Sequence, residues 1–250
     1  MKLQLIRNAT LLLEYNDKRL LIDPMLGPKH QFRSFAGISK NPTVEMPMTA
    51  QEVLVNIDGV LVSHLHPDHF DEEAKRLIPQ TTILLCHPEI MDSLEEMGFE
   101  NVHEVDEPIE WYDIKIRPTP AVHGYGQWAE RMGPVSGYIF RADGEPTIYW
   151  AGDTILSPEV EKALVETQPH IVITHSAGAQ FGGPEGLIIM DIEQTLAVAR
   201  LVPKAKIIAT HMESLDHCTV SREALRQAAE EAGMGGRFLI PADGELMEKF

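Results

Sequence analysis

An α+β fold, with β-sheets flanked by helices, is what the sequence predicts for residues 1–250 as a single domain. Three observations predict it. Short strand-like runs separated by turn residues open the chain. Strand-like and helix-like runs alternate through its second half. No repeat, low-complexity tract or linker rich in Pro, Gly and Ser divides it. A chain of 250 residues is long enough to bury one sizeable core.

The elements follow in order. Lys2–Ile6, Thr10–Glu14 and Arg19–Ile22 read as an antiparallel meander. Pro24 to Met48 mixes Gly, Pro and Ser with Phe32, Phe35 and Met46, and reads as a long ordered loop packed over something. Gly59–Ser63 is a short apolar strand. A helix is expected over Asp71–Ile78, a strand over Ile83–Cys86, and a helix over Pro88–Met97 closed by Gly98. Val102–Val105 and Ile114–Arg117 are strand-like. Gly137–Arg141 and Thr147–Trp150 form a hairpin about the turn Ala142–Asp143–Gly144–Glu145. Ser157 and Pro158 start a helix through Val165. His170–Thr174 is a strand, and Asp191 with Gln194 resembles a capping box for a helix over Ile192–Leu201. Lys206–Thr210 is a strand, Ser221–Ala232 a helix ended by Gly233, and Phe238–Ile240 a last strand.

Composition narrows the partners. Twenty-one Lys and Arg against 38 Asp and Glu give a net charge of −17, which disfavours nucleic acid and anionic membrane surfaces, since both require a basic face. No apolar run approaches the ~20 residues of a membrane span. Cys86 and Cys218 are expected to be reduced thiols in a cytoplasmic protein. The expected partner is a small-molecule substrate, with a homo-oligomer left open.

The chemistry is concentrated in SHLHPDHF, residues 63–70, where His64, His66, Asp68 and His69 fall within six positions at the end of an apolar strand. Imidazole and carboxylate together suit zinc, manganese or iron better than calcium or magnesium. His64 and His66 are two apart and point the same way if strand geometry persists. Asp68 and His69 lie beyond Pro67, so the spacing splits the four into two pairs, one for each of two neighbouring ions. Further ligands are then required elsewhere. His123 after PTPAV, Asp153 after TIYWAG and His211 after KIIAT each follow an apolar run, as the cluster does. No Ser/His/Asp or Cys/His arrangement offers a side-chain nucleophile.

HLHPDH, His123, the GDT of Gly152–Thr154 and His211, in that order, resemble the motifs of the metallo-β-lactamase superfamily. LLIDP (Leu20–Pro24) and PADGE (Pro241–Glu245) extend the resemblance, which looks most similar to the small-hydrolase branch that includes ascorbate-6-phosphate lactonase. The resemblance implies an αββα sandwich of two mixed sheets, with the site along one edge. It implies two divalent ions, zinc first with manganese or iron as alternatives. His64, His66 and His123 would hold one ion; Asp68, His69 and His211 would hold the other, and Asp153 would bridge. No Cys stands at the bridging position, which departs from the zinc β-lactamases. The function expected is hydrolysis of an ester, lactone, thioester or phosphodiester by a metal-bridging hydroxide, with Asp68 orienting the nucleophile. Two other readings stand beside it: an iron-dependent oxidoreductase on the same scaffold, and a catalytically silent metal-binding module.

Supporting residues are expected around these ligands. Asp23 is a candidate to hydrogen-bond a ligand histidine from behind, and His175, at the end of HIVIT, to contact substrate. The loops Pro24–Met48, Gly124–Ser136 and Ser176–Met190 are expected to wall the pocket. Trp128, Phe181 and Tyr125 would supply apolar contact, and Arg131 or Lys29 would hold an anionic group. His217 and Cys218 are expected at the surface.

Overall fold

A computed structural model describes residues 1–183 and 186–250; Pro184 and Glu185, inside the expected 176–190 loop, lie outside the described residues. The N-terminal meander forms as β1 (Lys2–Arg7), β2 (Thr10–Tyr15) and β3 (Lys18–Ile22). To β3 are added, in parallel, β4 (Gly59–Val62), β5 (Leu84–Cys86) and β6 (Val102–Glu104). The second sheet repeats this logic. β7 (Ile109–Trp111), β8 (Ile114–Thr119), β9 (Gly137–Arg141) and β10 (Ile148–Trp150) run antiparallel. β11 (Ile171–His175), β12 (Lys206–Thr210) and β13 (Phe238–Leu239) then continue in parallel. β14 (Leu246–Met247) returns to pair with β1, so each sheet has seven strands among the described residues.

Strand periodicity explains why the sheets face each other. Leu11, Leu13, Leu20, Ile22, Tyr138, Phe140, Ile148 and Trp150 point into the layer between the sheets. Their sequence neighbours Leu12, Leu21, Ile139 and Tyr149 point outward, where helices cover them. On the first sheet the cover is α1 (Ala50–Val53), α2 (Glu72–Leu77) and α3 (Met91–Glu96), through Val53, Ala74 and Leu94. The helix α4 (Gln127–Met132) lies in the 124–136 segment, read from sequence as loop. On the second sheet the cover is α5 (Pro158–Thr167), α6 (Ile192–Leu201) and α7 (Arg222–Glu231), through Val160, Leu164, Val198 and Leu225. This is the expected αββα sandwich. No described helix is long and apolar enough to cross a membrane.

Two sequence expectations change in detail. The helix expected over Pro88–Met97 begins as a 3-10 turn, Pro88–Ile90, capped by the His87 side chain, before α3 starts. The capping box at α6 is only half formed. The Asp191 carboxylate accepts from the Gln194 amide at 3.0 Å, but the Gln194 side chain turns away to Leu156 N and the Tyr125 hydroxyl.

The long segment from Pro24 to Met48 forms no helix and is ordered by buried polar anchors. The fully buried Arg7 guanidinium donates to the carbonyls of Met25, Gly27 and Val44 at 2.8–3.1 Å. The Asp71 carboxylate accepts from Gly27 N at 2.6 Å. Carbonyls left unpaired in such a loop would each cost about 1–3 kcal/mol, so one arginine offsets a large penalty.

Candidate metal centre

The ends of β4, β8, β10, β11 and β12 meet at one edge of the sandwich, and the predicted residues arrive there. His64, His66 and His123 form one group of converging donor atoms, and His69, Asp153, His175 and His211 a second, each group within 4.8 Å. Asp68 flanks the second group, its Oδ2 lying 3.1 Å from His211 Nε2 and 3.4 Å from His69 Nε2. Asp153 stands between the groups. Its Oδ2 lies 3.2 Å from His69 Nε2, 3.3 Å from His123 Nε2 and 3.9 Å from His64 Nε2, while its Oδ1 lies 3.7 Å from His211 Nε2.

Hydrogen bonds from behind fix which ring nitrogen faces inward. Asp23 is fully buried at the end of β3, with a left-handed φ of +46°. Its carboxylate can only accept, and it takes Ser63 N at 2.8 Å, Ser63 Oγ at 2.7 Å and His69 Nδ1 at 2.7 Å. The Ser63 hydroxyl proton is thereby committed to Asp23, so Ser63 Oγ accepts from His64 Nδ1 at 2.9 Å. His123 Nδ1 donates to Ile188 O at 2.9 Å. In the neutral form that a metal-ligating imidazole takes, His64, His69 and His123 would therefore all point their Nε2 lone pairs into the centre. A carboxylate or carbonyl behind an imidazole is the usual support of a metal-ligating histidine.

Sequence reasoning gave Asp23 as a candidate but missed Ser63 and Asn8. Asn8 donates from Nδ2 to Asp68 Oδ2 at 3.3 Å, and its carbonyl accepts from His211 N at 2.8 Å, which ties the first turn of the chain to two of the site residues. His211 itself has φ +61°, a conformation that turns its ring back from the end of β12. The GDT turn is equally specific. Gly152 has φ +65°, and a Cβ there would lie 3.0 Å from Ser136 O and from the Trp150 ring. Thr154 Oγ1 accepts from Val122 N at 2.8 Å, coupling the Asp153 turn to the His123 segment.

The electrostatics are those of a cation site. Burial, and then neighbouring imidazoles, hold His64 well below its ordinary pKa, and burial lowers His123 to about 4, so both rings are neutral. His69 behaves oppositely. Burial opposes its charge, yet Asp153, Asp68 and Asp23 push it well above the ordinary value, and His211 rises to about 10 against burial because of Asp153 and Asp68. The carboxylates thus demand positive charge at this point, and imidazole and carboxylate donors together fit zinc, manganese or iron.

A cavity of about 410 Å³ opens onto the centre. Its floor includes His66, Asp68, His123, Asp153 and His211, and its walls come from the three loops expected to form them: Phe32, Arg33 and Phe35; Arg131 and Met132; Ala179, Phe181, Ile188 and Ile189. Arg131 and Phe181 thus stand where the sequence placed them. Trp128 is set back from the lining and stacks on Phe181 at 5.2 Å, with Arg131 over its ring at 5.0 Å. Tyr125 is half exposed and accepts from Gln194, and Lys29 is an exposed side chain away from the cavity. His175 is corrected as a candidate for substrate contact: it is fully buried, lies outside the lining, and donates from Nδ1 to Asp153 Oδ1 at 2.6 Å. His217, expected at the surface, is buried instead and lines the cavity, because its ring stacks on Phe181 at 5.4 Å.

Two sheets, flanking helices and a strand-end cluster of His and Asp define a metallo-β-lactamase fold with a candidate metal centre. The Beta-lactamase superfamily domain matches residues 18–212, and the chain belongs to that family. Among its relatives is the UPF0173 protein YddR of Bacillus subtilis, 34% identical over 251 residues and 98% of each chain. Further relatives are described as UPF0173 metal-dependent hydrolases. The isothiocyanate hydrolase from Delia radicum gut bacteria is 36% identical and superposes with a TM-score of 0.94 over 100% of this chain and 99% of that one. A possible metal-dependent hydrolase from Veillonella parvula is 32% identical, with a TM-score of 0.95 over 99% and 98%.

Proposed function

We propose that the chain is a two-metal hydrolase of small, uncharged electrophiles carrying an apolar arm, with isothiocyanates as the leading substrate class. The observation that carries the reading is the convergence of the His64, His69 and His123 Nε2 lone pairs on Asp153 at the floor of an aromatic cavity. In this reading His64, His66 and His123 hold one divalent ion, Asp68, His69 and His211 the other, and Asp153 serves both, with zinc favoured and manganese or iron as alternatives. When bound, such ions supply a nucleophilic hydroxide near neutral pH and polarise the electrophile.

The chain's own residues do the rest. Asp68 lines the cavity and in this reading orients the attacking water. Phe32, Phe35, Phe181 and Met132 receive the apolar arm and exclude bulk water. For an isothiocyanate, the water oxygen bonds to the central carbon and the carbon–nitrogen bond breaks. Both water protons end on nitrogen, giving an amine and carbonyl sulfide. The aromatic walls support this class, and so does the likeness to an isothiocyanate hydrolase. Lactones, thioesters, esters and phosphodiesters are the competing substrates, lactones chiefly through the motif resemblance.

The test measures amine release from benzyl isothiocyanate, beside hydrolysis of a γ-lactone, a thioester, an ester and a phosphodiester, with metal analysis of protein purified without added metal. Metal-dependent amine release, lost on chelation and restored by zinc or manganese, is expected. A lactone or thioester turned over with far higher kcat/KM than benzyl isothiocyanate would overturn the substrate class. Iron-loaded protein that consumes oxygen and hydrolyses nothing would favour the oxidoreductase.

A further inference from the structure

One carboxylate holds together two loops that meet in one wall of the cavity. Asp216 lies five residues past His211, and Oδ1 accepts from Phe35 N at 2.9 Å and from Asn41 Nδ2 at 2.8 Å. Its Oδ2 accepts from the amides of Ala36, Ile38 and Ser39, each at 3.2 Å, and from the Ser34 hydroxyl. Asn41 answers from the other side, its Oδ1 accepting from Asp216 N at 2.9 Å. The segment 34–39 folds around this one side chain, with no sheet or helix of its own. Burial pushes the Asp216 carboxyl upward, yet the bonds from Ser34, Asn41 and the amides together hold it well below its ordinary value.

The rings beside the clasp are those of the cavity wall. Phe35 follows Ser34 and His217 follows Asp216; they meet edge to face at 5.0 Å. Phe35 also contacts Phe32 at 5.5 Å, His217 stacks on Phe181, and Phe181 stacks on Trp128. The result is a continuous run of five rings drawn from three loops and helix α4. Among the described residues, apart from the Thr43–Glu213 and Thr43–Ser214 bonds further along, Asp216 supplies the hydrogen bonds that seat the 34–41 loop against the 212–217 segment.

We infer that Asp216 is a positioning residue that sets the Phe35–His217 wall, and through it the fit of the substrate's apolar arm. The inference rests on the proposed role of this cavity as the substrate pocket. Asp216 touches no metal donor, so its loss should act on KM for substrates long enough to reach the wall and leave metal loading alone. A methyl isothiocyanate is too short to use the wall; a benzyl isothiocyanate is not.

The test compares Asp216→Asn, which keeps the size and removes the all-acceptor character, with Ser34→Ala, which removes one of the six donors. KM for benzyl isothiocyanate should rise about two- to tenfold in Asp216→Asn, the range expected from lost aromatic packing, and less in Ser34→Ala. The kcat for both substrates and the metal content should be those of the native enzyme. Amide exchange at residues 35–39 should speed up in both variants. An equal loss on methyl and benzyl substrates, or a fall in metal content, overturns the inference, as does unchanged exchange. If the native enzyme turns over neither substrate, the proposed function fails, and amide exchange alone decides the clasp.

Discussion

The floor and the walls of the cavity are built by opposite means. Floor donors leave strand ends: His64 follows β4, Asp153 follows β10 and His211 follows β12, each within three residues of its strand. Behind them stand buried partners of their own, Asp23, Ser63, Asn8 and His175. The wall rings come from loops, and Asp216 gathers two of those loops around one carboxylate. The difference teaches where variation is tolerated. A side chain at a strand end is aimed by the sheet, so loop sequence can change beside it without moving the donors. The walls have no such frame, and their shape follows whatever holds the loops.

The largest effect should come from the residue on which the floor converges. Asp153 carboxylate oxygens lie within 3.9 Å of nitrogens on His64, His69, His123, His175 and His211. Asp153→Ala is expected to lower metal occupancy to background and turnover by more than about 100-fold, beyond the usual cost of losing a supporting residue. Metal analysis and amine release check it. Native metal content in this variant would break the claim that the floor is one unit.

A smaller effect is expected one step back. Asp23 contacts no cavity, yet it fixes the inward lone pair of His69 directly and that of His64 through Ser63. Asp23→Asn keeps the shape but offers an amide where His69 Nδ1 needs an acceptor. Metal affinity should fall about 10- to 100-fold, with KM for the remaining loaded enzyme unchanged. A competitive chelator titration measures the first and steady-state kinetics the second. A rise in KM without loss of affinity would place Asp23 with the walls, against its position.

Legibility in the sequence follows the same division. Lys206–Thr210 is a strand with the bounds its apolar run suggests, and the first-sheet meander differs from expectation by one residue at an end. The floor donors were legible because each is a ligand-type residue directly after such a run. Support and walls were less so. Ser63 and Asn8 look like ordinary strand-end and turn residues, and their role exists only through partners 40 and 60 residues away. Asp216 reaches Ser34 across 182 residues, a separation at which no local pattern survives. Helix α4 was missed because its segment is bounded by Gly126 and Gly133, both at positive φ, which read as loop punctuation. His217 was assigned to the surface because nothing local announces that Phe35 and Phe181 will close over it.

The two cysteines give the comparison its smallest and most direct test. Cys86 sits in β5, behind the floor, and packs with the fully buried residues between the first sheet and its helices. Burial, then Glu104 and Glu95, push its thiol up to about 12. At pH 8 its reactive thiolate is about one part in ten thousand of the total, and the surrounding core blocks the reagent as well. Cys218 follows His217 and packs, only partly buried, against the cluster that contains Phe181 and Trp128. Iodoacetamide at pH 8 should therefore modify Cys218 in the native protein and leave Cys86 intact until denaturant unfolds the domain, as read by peptide mass spectrometry. Raising the pH increases the Cys86 thiolate but not its access, so labelling there should still wait for unfolding. Native-state labelling of both cysteines at similar rates would show that the floor sheet opens as readily as the walls, and the distinction between a rigid floor and loop-built walls would fall.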